Sequence, residues 1–181
     1  SQFTKYAGHS ITVIDLASWK VAYQAVTMGY AQTSGVVSTG NQSDDGYVYV
    51  YFQENYTPGC LRYIKDKPGQ TSVVDGVVEN GKTCAPVLFT PKKEQAQYAI
   101  CSPIVDEYGT FYFKNDSGYM MAVGSKIESI EVTKKPTRTT YDIGEKVNLS
   151  GIKVVAHLAN GMTRDITDYI TYSDQAVTEG Q

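Results

Sequence analysis

Apolar and polar side chains alternate along most of this chain, a pattern that predicts β-strands. The alternation is clearest within 101–123, where three short apolar or aromatic runs are separated by turns centred on Gly109 and Gly118. The middle run, 110–114, alternates strictly and is rich in aromatic residues, which is typical of a half-buried strand. The segment is therefore predicted to form three short strands joined by two glycine turns.

A fainter copy of this pattern lies earlier in the chain. Segments 34–38, 45–51 and 59–64 repeat its order of a Val pair, a turn glycine, a Tyr-rich strand, a second turn glycine and an apolar strand. Such repeats predict sheets that stack on one another, because one unit cannot bury its apolar face alone. The residues expected in the core between neighbouring repeats are Val105, Tyr112 and Phe113.

The pattern changes near residue 126. Residues 126–133 form a period-two strand with fewer aromatic side chains than the strands before it. Pro136 ends this strand, because proline has no amide hydrogen to donate to a sheet. The change predicts two domains, 1–125 and 126–181.

The second domain is predicted to continue with strands, since it has no helical periodicity. Apolar runs occupy 147–149 and 152–158, and Asn160-Gly161 is a strong signal for a two-residue hairpin turn leading into 162–166. The residues expected to fill the core of this domain are Ile130, Val132, Leu149, Val154 and Ile166.

The composition is that of a folded protein. Hydrophobic residues make up 41% and charged residues 19% of the chain, and the formal net charge is −3. These values favour a globular core and argue against nucleic acid or an anionic membrane surface as a partner. No apolar run approaches the roughly 18 residues of a membrane-spanning helix, so no membrane-spanning segment is expected.

Candidate catalytic and metal-binding residues are few. Cys60, Cys84 and Cys101 show no Cys-x-x-Cys spacing, and His9 and His157 are far from them in sequence. The cysteines are expected either to be buried thiols or to include one disulfide, for which Cys60 and Cys84 are the favoured pair. Neither histidine has an acid, base or nucleophile near it in sequence, so no catalytic residue, metal site or cofactor is predicted.

Two turns have a functional and a structural interpretation, and the structural one is favoured in both. The single tryptophan, Trp19, follows Asp15 in a predicted turn and is expected to be a structural plug. Asp44-Asp45-Gly46 is acidic but lacks the alternating oxygen ligands of a calcium loop, so a hairpin turn is predicted there.

Aromatic residues supply a candidate ligand site. Tyr51, Phe52, Tyr56 and Tyr63, together with the insertion-like segment 70–91, could form a platform for a carbohydrate or peptide. Flat rings stack on apolar faces while phenol hydroxyls form hydrogen bonds, and loops on a rigid scaffold often carry such sites. The alternative is that these side chains pack between sheets or face solvent as ordinary strand residues.

Short motifs run through 126–181 in a fixed order: Ile130-Glu131-Val132, Pro136-Thr137-Arg138-Thr139-Thr140-Tyr141, Ile143-Gly144-Glu145, Leu149-Ser150-Gly151-Ile152-Lys153-Val154, Asn160-Gly161 and Asp165-Ile166-Thr167-Asp168-Tyr169. This series resembles the bacterial immunoglobulin-like (Ig-like) domains strung along cell-surface proteins of Gram-positive bacteria. Members of that family continue for two more strands, so the resemblance implies an Ig-like β-sandwich lacking its last strands. We therefore expect a piece of a longer protein, with the missing strands supplied by the parent chain or by self-association.

A second series of motifs lies in the first domain: Ile11-Thr12-Val13-Ile14-Asp15, Ser102-Pro103-Ile104-Val105-Asp106, Gly109-Thr110-Phe111-Tyr112 and Asp116-Ser117-Gly118-Tyr119-Met120-Met121-Ala122. It resembles the β-propeller repeats of pyrroloquinoline-quinone (PQQ) dehydrogenases and outer-membrane assembly lipoproteins. A blade takes about 40 residues, so 1–125 has room for two to three blades. The resemblance implies a partial β-propeller. Its missing blades are expected to be supplied by the parent chain or by self-association.

Both resemblances imply an all-β protein that is extracellular, at the cell surface or in the cell wall of a bacterium. The function expected is a non-enzymatic surface or adhesion module, with the propeller as a ligand-binding platform and the Ig-like domain as a spacer or adhesive link. The alternative is a fragment of a secreted surface enzyme, a quinoprotein or a hydrolase, whose active site lies outside this chain. The fold does not decide between them, since propellers serve both roles.

Overall fold

The computed structural model describes residues 9–37, 46–172 and 176–178. Within these ranges the chain forms four β-sheets and no α-helix, which confirms the predicted all-β class. Two short 3-10 turns, Lys93–Gln95 and Thr167–Tyr169, complete the regular structure of this part. No helix in it is long and apolar enough to cross a membrane.

The chain divides into two compact units, Ser1–Gly124 (unit 1) and Ser125–Gln181 (unit 2). The sequence-based boundary, between 125 and 126, lies one residue further on. The strands of unit 1 are, in chain order, β1 (Ser10–Asp15), β2 (Lys20–Val26), β3 (Val36–Val37), β4 (Val48–Gln53), β5 (Leu61–Asp66), β6 (Val77–Glu79), β7 (Lys82–Cys84), β8 (Val87–Phe89), β9 (Ile104–Val105), β10 (Phe111–Lys114) and β11 (Met120–Val123).

Unit 1 contains three sheets. The first has the strand order β1-β2-β7-β6, the second β3-β4-β5-β8 and the third β11-β10-β9. The predicted repeat is visible in the last two, because β3-β4-β5 and β9-β10-β11 are both antiparallel and consecutive in the chain. In the first sheet a single parallel pair, Val26 with Cys84, joins two hairpins that are distant in sequence.

The turn between β9 and β10 shows how sequence sets this repeat. Gly109 has a φ of 79°, a left-handed conformation that glycine adopts without steric cost. One oxygen of Asp106 accepts hydrogen bonds from the amides of Tyr108 (2.9 Å) and Thr110 (2.8 Å), and the other accepts one from the Tyr112 hydroxyl (3.0 Å). Burial raises the pKa of Asp106, but these hydrogen bonds outweigh it and leave the pKa below its ordinary value.

The second sheet lies in the middle of the stack and buries both of its faces. Successive residues of a strand point to opposite faces, so Tyr51 and Phe52 enter different cores. Tyr51 is 3% exposed, and its ring centroid lies 4.3 Å from that of Phe111 in the third sheet. Phe52 is 1% exposed and packs with Tyr23 and Ala25 of the first sheet.

The residues expected in the core of unit 1 do not all face that core. Phe113 is 3% exposed and belongs to the core between the second and third sheets, and Val105 packs against that core. Tyr112 has the opposite parity, is half-buried and uses its hydroxyl in the Asp106 turn.

A buried ionic network joins the first and second sheets. Arg62 on β5 binds Glu54 through Nε (2.8 Å) and Glu79 on β6 through both terminal nitrogens (2.9 Å each). The side chains of Arg62 and Glu54 are 3% and 2% exposed. Arg62 Nη1 also donates to the carbonyl of Ala85 (2.7 Å), and the Met28 amide donates to Glu54 Oε2 (2.9 Å).

Unit 2 forms one antiparallel sheet of order β12-β13-β14, with β12 (Ile127–Lys134), β13 (Lys153–Leu158) and β14 (Thr163–Asp165). The predicted hairpin at Asn160-Gly161 is confirmed, but its loop has three residues, 159–161, instead of the predicted two, because the Leu158 amide donates to the carbonyl of Met162 (2.8 Å). Gly161, with a φ of 81°, ends the loop. On β13, Val154 and Ala156 are 3% and 0% exposed.

Two expectations for unit 2 are wrong within the described residues. Ile130 and Val132 are 65% and 53% exposed, although they pair with the buried Ala156 and Val154. Segment 147–149 is not a strand, because the Tyr141 hydroxyl binds both backbone groups of Asn148. The hydroxyl accepts a hydrogen bond from the Asn148 amide (2.9 Å) and lies 2.8 Å from the Asn148 carbonyl oxygen. The partial β-propeller and the Ig-like sandwich lacking its last strands stay predictions.

Replacing Arg62 with Met is expected to destabilise unit 1 by about 3–5 kcal/mol, because it leaves Glu54 buried without its cation. Urea denaturation followed by circular dichroism measures the loss. Lys82→Met is the matched control, since Lys82 is exposed on β7, and we expect it to change stability by less than about 0.5 kcal/mol. Equal effects of the two substitutions would contradict a central role for the network.

Candidate ligand-binding site

The β1–β2 hairpin turn, residues 16–19, is closed by Asp15. Its carboxylate accepts hydrogen bonds from the Ala17 amide (3.0 Å) and the Ser18 hydroxyl (2.5 Å). The Ser18 hydroxyl and then the Ala17 amide lower the pKa of Asp15, because both stabilise the ionised form. The turn is therefore set locally by the Asp-x-x-Ser spacing.

Trp19 occupies an unusual backbone position in this turn. Its φ is 55°, the left-handed region in which a residue with a Cβ costs about 1–2 kcal/mol. The predicted turn is confirmed, but the predicted plug is wrong, because Trp19 is 69% exposed. Leu16 at the same tip is 70% exposed. The turn thus presents two large apolar side chains to solvent at the expense of backbone strain.

A cleft of about 640 Å³ lies beside this turn. It opens where the end of β1 and the start of β2 meet the start of β4 and the loop after β5, so the first and second sheets supply its walls. Two of its lining residues, Val13 and Ala22, also pack against the core between those sheets. Its apolar walls are Val13, Ile14, Leu16, Val21, Val48 and Pro68.

Polar side chains of both charges complete the lining. Asp15 and Asp66 supply two carboxylates, and Lys20 and Lys67 supply two ammonium groups. Asp66 Oδ1 accepts a hydrogen bond from the Tyr23 hydroxyl (2.8 Å). Burial, and then Asp66, raise the pKa of Tyr23 well above its ordinary value, so the hydroxyl stays protonated and continues to donate.

The loop that follows β5 is held in place by Gln70. Its Nε2 donates to the carbonyls of Lys65 (2.8 Å) and Ser72 (2.9 Å). Gln70 and Thr71 both line the cleft. The insertion-like segment 70–91 therefore contributes its first residues to the site, while its later residues form β6, β7 and β8.

The four predicted ligand-binding residues are not brought together. Tyr51 and Phe52 are buried on opposite faces of β4, and Tyr56 is 45% exposed in the loop before β5. Tyr63 is half-buried beside Tyr51, with 6.2 Å between their ring centroids. Burial is the largest cause of the raised pKa of Tyr63. The four side chains therefore do not form one exposed platform.

The cysteines and His157, the other candidates for chemistry, do not form a catalytic or metal-binding group in the described residues. Cys60, Cys84 and Cys101 are free thiols, and burial raises the pKa of Cys60 and Cys84, which disfavours the reactive thiolate. His157 Nε2 lies 3.1 Å from Glu131 on the neighbouring strand. Asp44 and Asp45 lie outside the described residues, among which no group of three His, Cys, Asp or Glu side chains could hold a metal ion.

Comparisons of the chain with protein-family models, with curated proteins and with solved structures found no match.

Trp19→Gly is expected to leave the free energy of unfolding unchanged or raise it by up to about 1 kcal/mol, because glycine relieves the left-handed strain. Urea denaturation measures this. Asn80→Gly is the matched control, since Asn80 also has a positive φ, 49°, but belongs to a type that tolerates it. A loss above about 1 kcal/mol for Trp19→Gly alone would mean that the indole serves packing.

Tyr23→Phe is expected to destabilise unit 1 by about 1 kcal/mol at neutral pH, because Asp66 loses a hydrogen bond. The pKa of Tyr23 is raised in the folded state, so its stabilising effect is complete below the ordinary value of 10.0 and is lost as pH rises through the folded value. The difference in free energy of unfolding between wild type and variant should therefore narrow as the pH rises above 10.0. Denaturation at several pH values measures it, and a gap that widens would contradict the assignment.

Tyr56→Phe serves as the control for that series. Its side chain is exposed at the surface of the same unit. We expect its free energy of unfolding at neutral pH to equal that of the wild type.

Proposed function

We propose that this protein is a non-enzymatic binding module of a bacterial cell surface. Unit 1, as part of a propeller-like domain, presents the cleft beside Trp19 to a component of the cell surface. Unit 2, as an Ig-like domain, acts as a spacer or adhesive link. The observation that carries the proposal is a cleft of about 640 Å³ with apolar walls and charged side chains, beside the turn that carries the exposed Trp19.

Two physical arguments support a binding role for this cleft. Backbone strain at a bulky residue persists where the surrounding structure imposes it, and such residues concentrate at ligand sites. The cleft volume of about 640 Å³ falls within the range of about 300–1,000 Å³ found for small-molecule sites. Apolar walls with a few convergent polar groups are typical of such sites.

The location at a cell surface is supported by the motifs of unit 2. Their order resembles that of the Ig-like domains of Gram-positive surface proteins, and unit 2 forms an antiparallel sheet along them. Domains of this kind place a binding domain at a distance from its anchor. In this proposal, unit 1 binds the cell-surface component, and unit 2 is the spacer or adhesive link.

The proposal predicts that the purified full chain sediments with isolated Gram-positive cell walls. The measurement is the fraction of protein in the pellet as the amount of wall is raised, and saturable binding is expected. The control is an unrelated protein of similar size and net charge, which should stay in the supernatant.

Protein that remains in the supernatant at every wall concentration would contradict the proposal. So would release of soluble wall fragments, or an absorbing quinone species formed when PQQ and calcium are added, since either result supports the secreted-enzyme alternative instead.

A further inference from the structure

We infer that unit 2 pairs with a second copy of this chain, by antiparallel hydrogen bonding between the two β12 strands. The inference goes beyond the proposed function and does not depend on it, because it concerns unit 2 alone. It gives one form to the self-association expected from the sequence. Three features of β12 carry it: a free edge, exposed apolar side chains and a charge pattern that complements itself.

The first feature is the edge position of β12. In the order β12-β13-β14, β12 pairs with β13 on one side, and within the described residues no strand pairs with its other side. All eight residues of the strand, Ile127–Lys134, are exposed. An exposed edge strand presents unpaired amide and carbonyl groups, which can pair with a strand of another chain.

Hydrogen bonds to β14 show to which neighbour each residue of β13 points. The Leu158 amide donates to the carbonyl of Met162 (2.8 Å), and the Ile166 amide donates to the carbonyl of Val154 (3.0 Å). Along an antiparallel strand, the backbone groups of successive residues point alternately to one neighbour and to the other. The even-numbered residues of β13 therefore bond to β14, and residues 155 and 157 bond to β12.

The register of β12 on β13 then determines which backbone groups of β12 point outward. Val155 pairs with Glu131, so the amide and carbonyl of Glu131 point to β13. Those of the neighbouring Ile130 and Val132 point to the free edge, and the irregularities of the pair lie outside residues 129–132. The side chains of Ile130 and Val132 are also 65% and 53% exposed. A strand added here would therefore gain hydrogen bonds and cover apolar surface at the same two positions.

The sequence of β12 complements itself in one antiparallel register. With Glu131 on the two-fold axis, Ile130 lies opposite Val132 of the second copy, so outward backbone groups meet outward groups and apolar side chains meet each other. Glu128 then lies opposite Lys134 of the second copy at both ends, and opposite charges in facing positions stabilise a sheet. An axis at residue 130 or 132 would lose these charge pairs. The complementarity favours a second copy over an unrelated strand.

Two properties of the pair limit its strength. The two Glu131 side chains face each other across the axis, and like charges in facing positions destabilise a sheet. One pair of strands is also a small contact compared with stable interfaces, which bury about 1,200–2,000 Å². We therefore expect a reversible dimer with a dissociation constant in the micromolar range.

Sedimentation velocity of the purified full chain, over concentrations from low micromolar to near millimolar, tests the inference. A monomer at low concentration and a dimer at high concentration are expected. A chain that stays monomeric throughout would overturn the inference. A trimer or larger assembly would also overturn it, because two paired edges form a closed contact.

Val132→Pro tests the edge. The Val132 amide points outward, so proline removes a donor to the second copy and none to β13. We expect dimerisation to weaken at least about tenfold, whereas Val132→Thr, which keeps the amide, should dimerise within about threefold of the wild type. Urea denaturation shows whether each variant retains its fold. A folded Val132→Pro chain that dimerises as the wild type does would contradict pairing through β12.

Charge variants test the register, and unfolding cannot explain a gain in dimerisation. Glu131→Gln removes the like charges at the axis and should strengthen dimerisation at least about threefold. Glu128→Lys should weaken it several-fold, and adding Lys134→Glu should restore it to within about twofold. The matched control is Glu107→Lys, at an exposed position of unit 1, which should leave dimerisation unchanged. A dimer that Glu131→Gln does not strengthen, and in which the charge reversal is not rescued, would show that the chains associate through another surface.

Discussion

Unit 1 depends on the guanidinium of Arg62, which lies between two sheets with both of its faces out of water. Burial alone would lower the pKa of Arg62, but the hydrogen bonds and charges of Glu79 and Glu54 raise it above its ordinary value. A planar group with donors on three sides is suited to this position, because it binds one carboxylate through Nε and another through both terminal nitrogens. The first and second sheets are thereby joined at one defined offset, since a shift of either would leave a buried charge without a partner.

That offset determines where the core between the two sheets ends. At one end Arg62 closes the space with polar contacts, and at the other Tyr23 closes it by donating to Asp66. Beyond Tyr23 the sheets separate, and the side chains of the β1–β2 turn and the loop after β5 line an open cleft instead of a core. Leu16 of the β1–β2 turn and Lys20 of β2 lie at this opening.

Local features of this protein could be predicted from local patterns. The strands β9 to β11 follow from strict alternation and two glycines, and the hairpin at Asn160-Gly161 follows from this turn-forming dipeptide, although its loop has three residues instead of two. The buried roles of Tyr51 and Phe52 had a signal too. The run Val48–Gln53 contains little polar alternation, which is typical of a strand covered on both faces. For the cleft, the signal was the Asp-x-x-Ser turn itself, since Asp15, Leu16 and Ser18 all line it.

The sequence by itself determined the all-β class, most of the strands and the two-unit division, because alternation, turn residues and a change of composition act over a few neighbouring residues. The tertiary structure decided which faces are covered. It left Ile130 and Val132 exposed on β12 although their pattern is that of a core strand, and it buried the charges of Arg62 and Glu54. It also placed Asp15, Asp66 and Lys67 around one opening. Those outcomes depend on how sheets distant in sequence stack, and side-chain burial is a property of that packing rather than of any single strand.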